Sequence, residues 1–205
     1  MMTAVLLVTA AGLGFLAFFE PCTIATHTLF AARISHETAR RRWLELVELV
    51  LSRSALLAAI FGVAAWVGLQ GFPTGAAMTM LGVIGAVYVV ARRVYLPVPH
   101  LEFFHLIPGH GRMPQGLKLG LTLPACTLPL VAVVGVICAL TRRPDTAVWA
   151  GFLFAGMFSL PTLWYSMREF DGANRKFLSK SAIASPYLTA MLLWFGAFLV
   201  WRMGS

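Results

Sequence analysis

Six long apolar stretches dominate the chain: Thr3–Ala32, Leu44–Leu69, Gly75–Ala91, Leu117–Thr141, Thr146–Met167 and Ala182–Trp201. A helix needs roughly 20 mostly apolar residues to cross about 30 Å of hydrocarbon, and each stretch approaches or exceeds that length. Lipid offers no partners to a free backbone, so spanning segments are helices or closed barrels. The alternation of a membrane barrel strand is absent. Only 12% of the residues are charged and 59% are hydrophobic. That is about half the charge of a soluble domain, too little to cover a water-facing surface. The expectation is an all-α, polytopic membrane helix bundle of six transmembrane helices. The N-terminal stretch lacks a basic leader and a small-residue cleavage site, so it is expected to be the first span rather than a signal peptide.

Basic residues fix the expected orientation. Arg33, Arg40, Arg41 and Arg42 follow the first stretch, Arg92, Arg93, Arg112 and Lys118 lie around the central connection, and Arg168, Arg175, Lys176 and Lys180 follow the fifth. The opposite side holds only Arg142, Arg143 and Arg202. The positive-inside bias then places both termini outside a cell membrane. The same distribution accounts for the net charge of +8 without invoking nucleic acid as a partner.

The chain reads as a single membrane domain over 1–205. Its longest polar connection, 97–116, falls near mid-chain with three stretches on either side. An odd number per half puts the halves, about 1–96 and 117–205, in opposite orientations, a 3+3 inverted repeat of the kind that places a working site near the bilayer midplane. Each half carries a cysteine beside proline: Glu20-Pro21-Cys22-Thr23-Ile24 in the first, Pro124-Ala125-Cys126-Thr127-Leu128-Pro129 in the second. Counting from Arg33 and Lys118 at 1.5 Å per residue, both cysteines fall roughly 12–16 Å from the inner face.

Proline removes a backbone donor and breaks or kinks a helix. A broken helix also presents an N-terminal end, which stabilises a thiolate. Two thiols at matched depth suit thiol–disulfide exchange, in which a thiolate opens a disulfide and a second thiol resolves the mixed species. The candidate redox pair is Cys22 and Cys126, supported by the helix-breaking Pro21, Pro124 and Pro129. Glu20 is either a proton acceptor for a thiol or a water-exposed carboxylate at the break. Cys138 lies about 120° around the helix from Cys126 and is expected only to pack.

These two motifs, with the chain length and six-span plan, resemble the CcdA family, the membrane electron carriers of cytochrome c maturation, and through it the central membrane domain of DsbD. The resemblance is that of a divergent member. It implies redox roles for Cys22 and Cys126. It also implies electron flow from cytoplasmic thioredoxin to an extracytoplasmic thioredoxin-like protein. No Cys-x-x-Cys, nucleotide loop or haem motif is present, so no cofactor is expected and the chain should depend on partners. Two alternatives stay open: a small-solute or metal-cation transporter, with Glu20 and His27 along its path, and a non-catalytic membrane assembly subunit.

Other polar residues have simpler readings. Arg53 is expected to snorkel to the inner interface, or else to pair with Glu20 or Glu48. His27 is expected to be a hydrogen-bonded packing residue. His100, His105 and His110 belong to a solvated docking loop. Ser159-Leu160-Pro161 and Ser185-Pro186 are kink candidates without chemistry. Trp43, Trp149, Trp194 and Trp201 mark span ends.

Overall fold

A computed structural model describes residues 2–71, 73–91, 101–108, 113–167, 187–195 and 198. His100, His110, Arg92, Arg93, Arg112, the basic cluster of Arg168 to Lys180, Ser185-Pro186, Trp201 and Arg202 lie outside these residues.

The described residues are mostly helical, as the apolar stretches require. The helices are α1 (Met2–Phe18), α2 (Pro21–Ser35), α3 (Ala39–Leu69), α4 (Thr74–Ala91), α5 (Gln115–Gly120), α6 (Leu128–Thr141) and α7 (Pro144–Met167), and residues 187–195 are helical as well. Two of them, α3 and α7, are long and apolar enough to cross a membrane, and α1 with α2 makes a third if the bent pair is one span. This is a membrane protein by helix length and composition.

Two of the six expected spans are not continuous helices. Thr3–Ala32 divides into α1 and α2, bent by 70° at Phe19-Glu20. Leu117–Thr141 divides into α5, a two-residue strand β2 (Thr122–Leu123), a tight turn at Ala125–Thr127, and α6. The central connection also departs from expectation. Its Leu101–Glu102 forms strand β1, antiparallel to β2, with Leu101 opposite Leu123 and Glu102 opposite Thr122. Phe103 packs against the core, while His105 pairs with Glu102 at 2.6 Å on the surface. The described part of the loop is thus built into the break rather than fully solvated. It supplies the backbone partners that the interrupted helix lacks.

The core forms where α1, α3, α6 and α7 meet. Leu6, Leu13, Leu57, Phe61, Val133, Ile137, Phe154 and Phe158 fill it, and a smaller cluster joins Phe30 and Ile34 of α2 to Leu46 and Leu49 of α3. The second broken segment runs parallel to α3 in constant register. Gly116 abuts Glu45, Gly120 abuts Leu49, Gly135 faces Ala64 and Gly68 abuts Ala139, an offset of 71 residues each time. The break between α5 and α6 therefore leaves the segment as long as the uninterrupted helix beside it.

At Gly68 a β-carbon would drive into the Ala139 carbonyl, backbone against backbone. Gly68→Ala should therefore destabilise the bundle by about 1–3 kcal/mol, the usual cost of overpacking. This outweighs a helix-propensity gain of at most about 1 kcal/mol. A lower thermal unfolding midpoint in detergent checks it, and an unchanged or raised midpoint contradicts it.

Candidate redox site at two helix breaks

Each break follows from proline chemistry. The residue before a proline is pushed away from helical geometry. Glu20, before Pro21, is extended (φ −66°, ψ 136°) and caps α2, which starts at Pro21. Proline suits this first position, where its missing N–H has no intrahelical acceptor anyway. Cys22 is then the second residue of α2. In the second half Pro124 is itself extended (φ −59°, ψ 140°) and starts the Ala125–Thr127 turn. Thr127 closes that turn by donating from its hydroxyl to the Pro124 carbonyl at 2.8 Å and from its N–H at 2.9 Å. The turn runs straight into α6, and Pro129 sits harmlessly in the first helical turn.

Both cysteines thus lie at the start of a helix, just past a proline. The structure joins them: a disulfide links Cys22 to Cys126, with α-carbons 6.8 Å apart, across 104 residues of sequence. Cys22 is half-buried, whereas Cys126 is 8% exposed. The hydroxyl of the fully buried Thr23 lies 3.8 Å from Cys126 Sγ. Cys22 lies in the first turn of α2, and Cys126 lies in the tight turn that leads into α6.

The register with α3 gives the site its height. By the 71-residue offset Cys126 is level with Ala55. Trp43 and Trp66, both exposed, lie just outside the start and one turn inside the end of the apolar stretch of α3. Ala55 lies about 17 Å along the helix from each, at 1.5 Å per residue. The disulfide therefore sits halfway along the apolar part of the molecule.

Glu20 is buried, which removes the reading of a water-exposed carboxylate. Arg53 overturns its expectation more fully. It neither snorkels nor pairs with a carboxylate among the described residues, and it is completely buried. One guanidinium nitrogen donates to Ser159 Oγ of α7 at 3.2 Å. The other donates to the Leu119 carbonyl at 3.1 Å and to His27 Nε2 at 3.2 Å, and the group stacks 4.3 Å over the Phe158 ring. Leu119 lies at the end of α5, so Arg53 occupies an acceptor that the helix break has freed. Because a guanidinium carries only donors, His27 Nε2 is the acceptor and the ring proton sits on Nδ1, directed at Thr162 Oγ1. Both ring nitrogens are engaged, so His27 packs as expected and has no lone pair to offer a metal. Among the described residues no group of three His, Cys, Asp or Glu side chains is placed to hold a metal ion.

Sequence reasoning assigned no chemistry to Ser159 and left Thr162 unremarked, yet both anchor this network. Ser159, Thr162 and Ser166 fall on one side of an otherwise apolar helix, at three- and four-residue spacing, and that stripe was the available signal. Pro161 sits inside α7 without ending it. Cys138 is free and fully buried, as its packing role requires.

Comparison with protein-family models, with curated proteins and with solved structures finds no match to this chain.

Proposed function

We propose that this chain is a transmembrane thiol–disulfide electron carrier. In this reading six spans, arranged as two inverted halves of three, carry two electrons across a cell membrane. They pass from cytoplasmic thioredoxin to an extracytoplasmic thioredoxin-like protein, as in the CcdA family. Both termini lie outside. One observation carries the proposal: two proline-flanked cysteines from opposite halves, 104 residues apart, meet as a disulfide halfway along the apolar core.

The chemistry balances without a cofactor. A thiolate of reduced thioredoxin attacks Cys22 Sγ, the more exposed sulfur. The Cys22–Cys126 bond breaks, its electron pair leaves on Cys126 Sγ, and a mixed disulfide forms at Cys22. The second thioredoxin thiol attacks that mixed disulfide, freeing Cys22. Thioredoxin leaves oxidised, and Cys22 and Cys126 together hold two electrons and two protons. The reverse sequence with an oxidised acceptor on the other face restores the bond. Both sulfurs are remote from either surface, so α2, hinged at Glu20-Pro21, swings to admit each partner in turn.

Thiol counting tests the premise. After mild oxidation and denaturation, one alkylatable thiol, Cys138, is expected; after reduction, all three cysteines should react. Three reactive thiols in the oxidised sample would remove the redox pair and the proposal with it.

A further inference from the structure

A cavity of about 280 Å³ lies between α2 and the α5–β2 segment, on the side of the site that bears Arg33 and Lys118. Thr26, Leu29 and Arg33 of α2, Phe104 of the central connection, and Lys118 and Thr122 are among the residues lining it. Two of these lead directly to the sulfurs. Thr26 is four residues after Cys22, and Thr122 is four residues before Cys126. Thr26 is thus one helical turn of α2, about 6 Å of rise, from Cys22, and Thr122 precedes Cys126 through β2 and the tight turn. The cavity is lined from both halves, by Thr26 of α2 and by Lys118, Leu119 and Thr122 of the second broken segment. The 71-residue offset puts Gln115 of the lining level with Leu44 and Thr122 level with Leu51, so the cavity deepens by about 10 Å toward the site.

Its lining has two characters. Leu29, Phe30, Phe104 and Leu119 make the walls apolar, while Arg33 and Lys118 bring positive charge. Leu29 is 63% exposed, although it adjoins a ready-made recess. Thr26 directs its hydroxyl to the Cys22 and Thr23 carbonyls, and Thr122 directs its own to the Lys118 carbonyl. Both floor hydroxyls are therefore occupied by the chain's own backbone, and the floor favours an apolar occupant.

We propose that this cavity is the recognition pocket for the reductant, resting on the carrier reading above. It takes an apolar side chain beside the reductant's reactive cysteine, and acidic residues around that cysteine face Arg33 and Lys118. Charge complementarity at such a rim raises the association rate and depends on salt. The pocket thereby selects which soluble dithiol protein reaches Cys22.

The test uses the full chain, oxidised, in lipid nanodiscs with and without anionic lipid. Reduction of the Cys22–Cys126 bond is followed with two probes, dithiothreitol and reduced thioredoxin. Arg33→Glu reverses a charge, and Leu29→Trp fills the recess at an exposed position that does not support the core. Each should slow reduction by thioredoxin about tenfold or more and leave dithiothreitol within about twofold, and the Arg33→Glu defect should shrink as salt rises. If both variants keep the parent rate with thioredoxin, the pocket is overturned while the carrier survives. If the defect appears only with anionic lipid present, the cavity is a headgroup site and the proposal fails. A parent chain that dithiothreitol opens and thioredoxin does not would overturn pocket and carrier together.

Discussion

Serine in place of Cys126 is expected to reduce electron delivery to the uncatalysed background while leaving Cys22 able to capture thioredoxin. The two sulfurs act in sequence, so removing either one stops the cycle, but the two removals stop it at different points. Without Cys126 no internal thiolate can expel thioredoxin from Cys22, and the mixed disulfide should accumulate once a thioredoxin lacking its resolving cysteine is supplied with its remaining sulfur activated as a thionitrobenzoate disulfide, from which the Cys22 thiolate displaces thionitrobenzoate. Without Cys22 the remaining sulfur is that of Cys126, 8% exposed and shielded by Thr23, so trapping should be far weaker. A disulfide closing a loop of this length would contribute about 4–5 kcal/mol in a soluble protein, so the fold itself must be checked in each variant. Cys138 provides that check, since it is fully buried and reacts only when the bundle opens. A carrier must pass through its dithiol form, so the serine variants should keep Cys138 protected. Parent-level transfer by either variant would end the redox reading. Equal trapping by both would end the assignment of Cys22 as the point of entry.

What the sequence disclosed and what it withheld divide along a physical line. Lipid imposes apolarity on every surface it touches, so α3, α4 and α7 stood out within a few residues of their ends. The same demand conceals breaks. A stretch that bends by 70° at Phe19-Glu20, and one that passes through a strand and a tight turn between Gly120 and Leu128, must be as apolar as a straight helix. Only proline marks such places, and proline alone does not say whether the helix stops. Pro21 and Pro124 sit where it does, whereas Pro161 lies within a helix that continues. The meeting of Cys22 with Cys126 was legible because matched motifs in two halves imply matched positions. The surroundings of Arg53 were not, because its partners come from residues 27, 119 and 159, and one of them is a backbone carbonyl that exists as a free acceptor only once α5 has ended. The pairing of Leu101–Glu102 with Thr122–Leu123 was hidden for the same reason, since a strand of two residues leaves no periodicity to read.

Replacing Arg53 with leucine should destabilise the bundle by about 2–4 kcal/mol, even though it removes a charge from an apolar interior. An arginine at the centre of a spanning helix costs roughly 2.5–3.5 kcal/mol on insertion scales, and leucine recovers that cost. Against it stand three acceptors left behind: Ser159 Oγ, the Leu119 carbonyl and His27 Nε2. Each buried polar group without a partner costs about 1–3 kcal/mol. Ser159 can turn its hydroxyl to a carbonyl of its own helix, so its loss falls at the low end of that range. The Leu119 carbonyl keeps only a share of the capping Leu121 N–H, which also serves the Leu117 carbonyl, and His27 is held by Thr162 on its other nitrogen. The sum exceeds the recovered cost, and the loss of stacking on Phe158 adds to it. Lysine keeps the charge but not the planar fork that reaches two elements at once, so Arg53→Lys should fall between parent and leucine. The measurement is the temperature at which Cys138 becomes alkylatable in detergent, with the order parent, lysine, leucine from highest to lowest. A leucine variant as stable as the parent would mean that the guanidinium merely occupies space. The electron-transfer proposal would be untouched, because it rests on the sulfurs, but α2, α5 and α7 would then owe their arrangement around the disulfide to apolar packing alone.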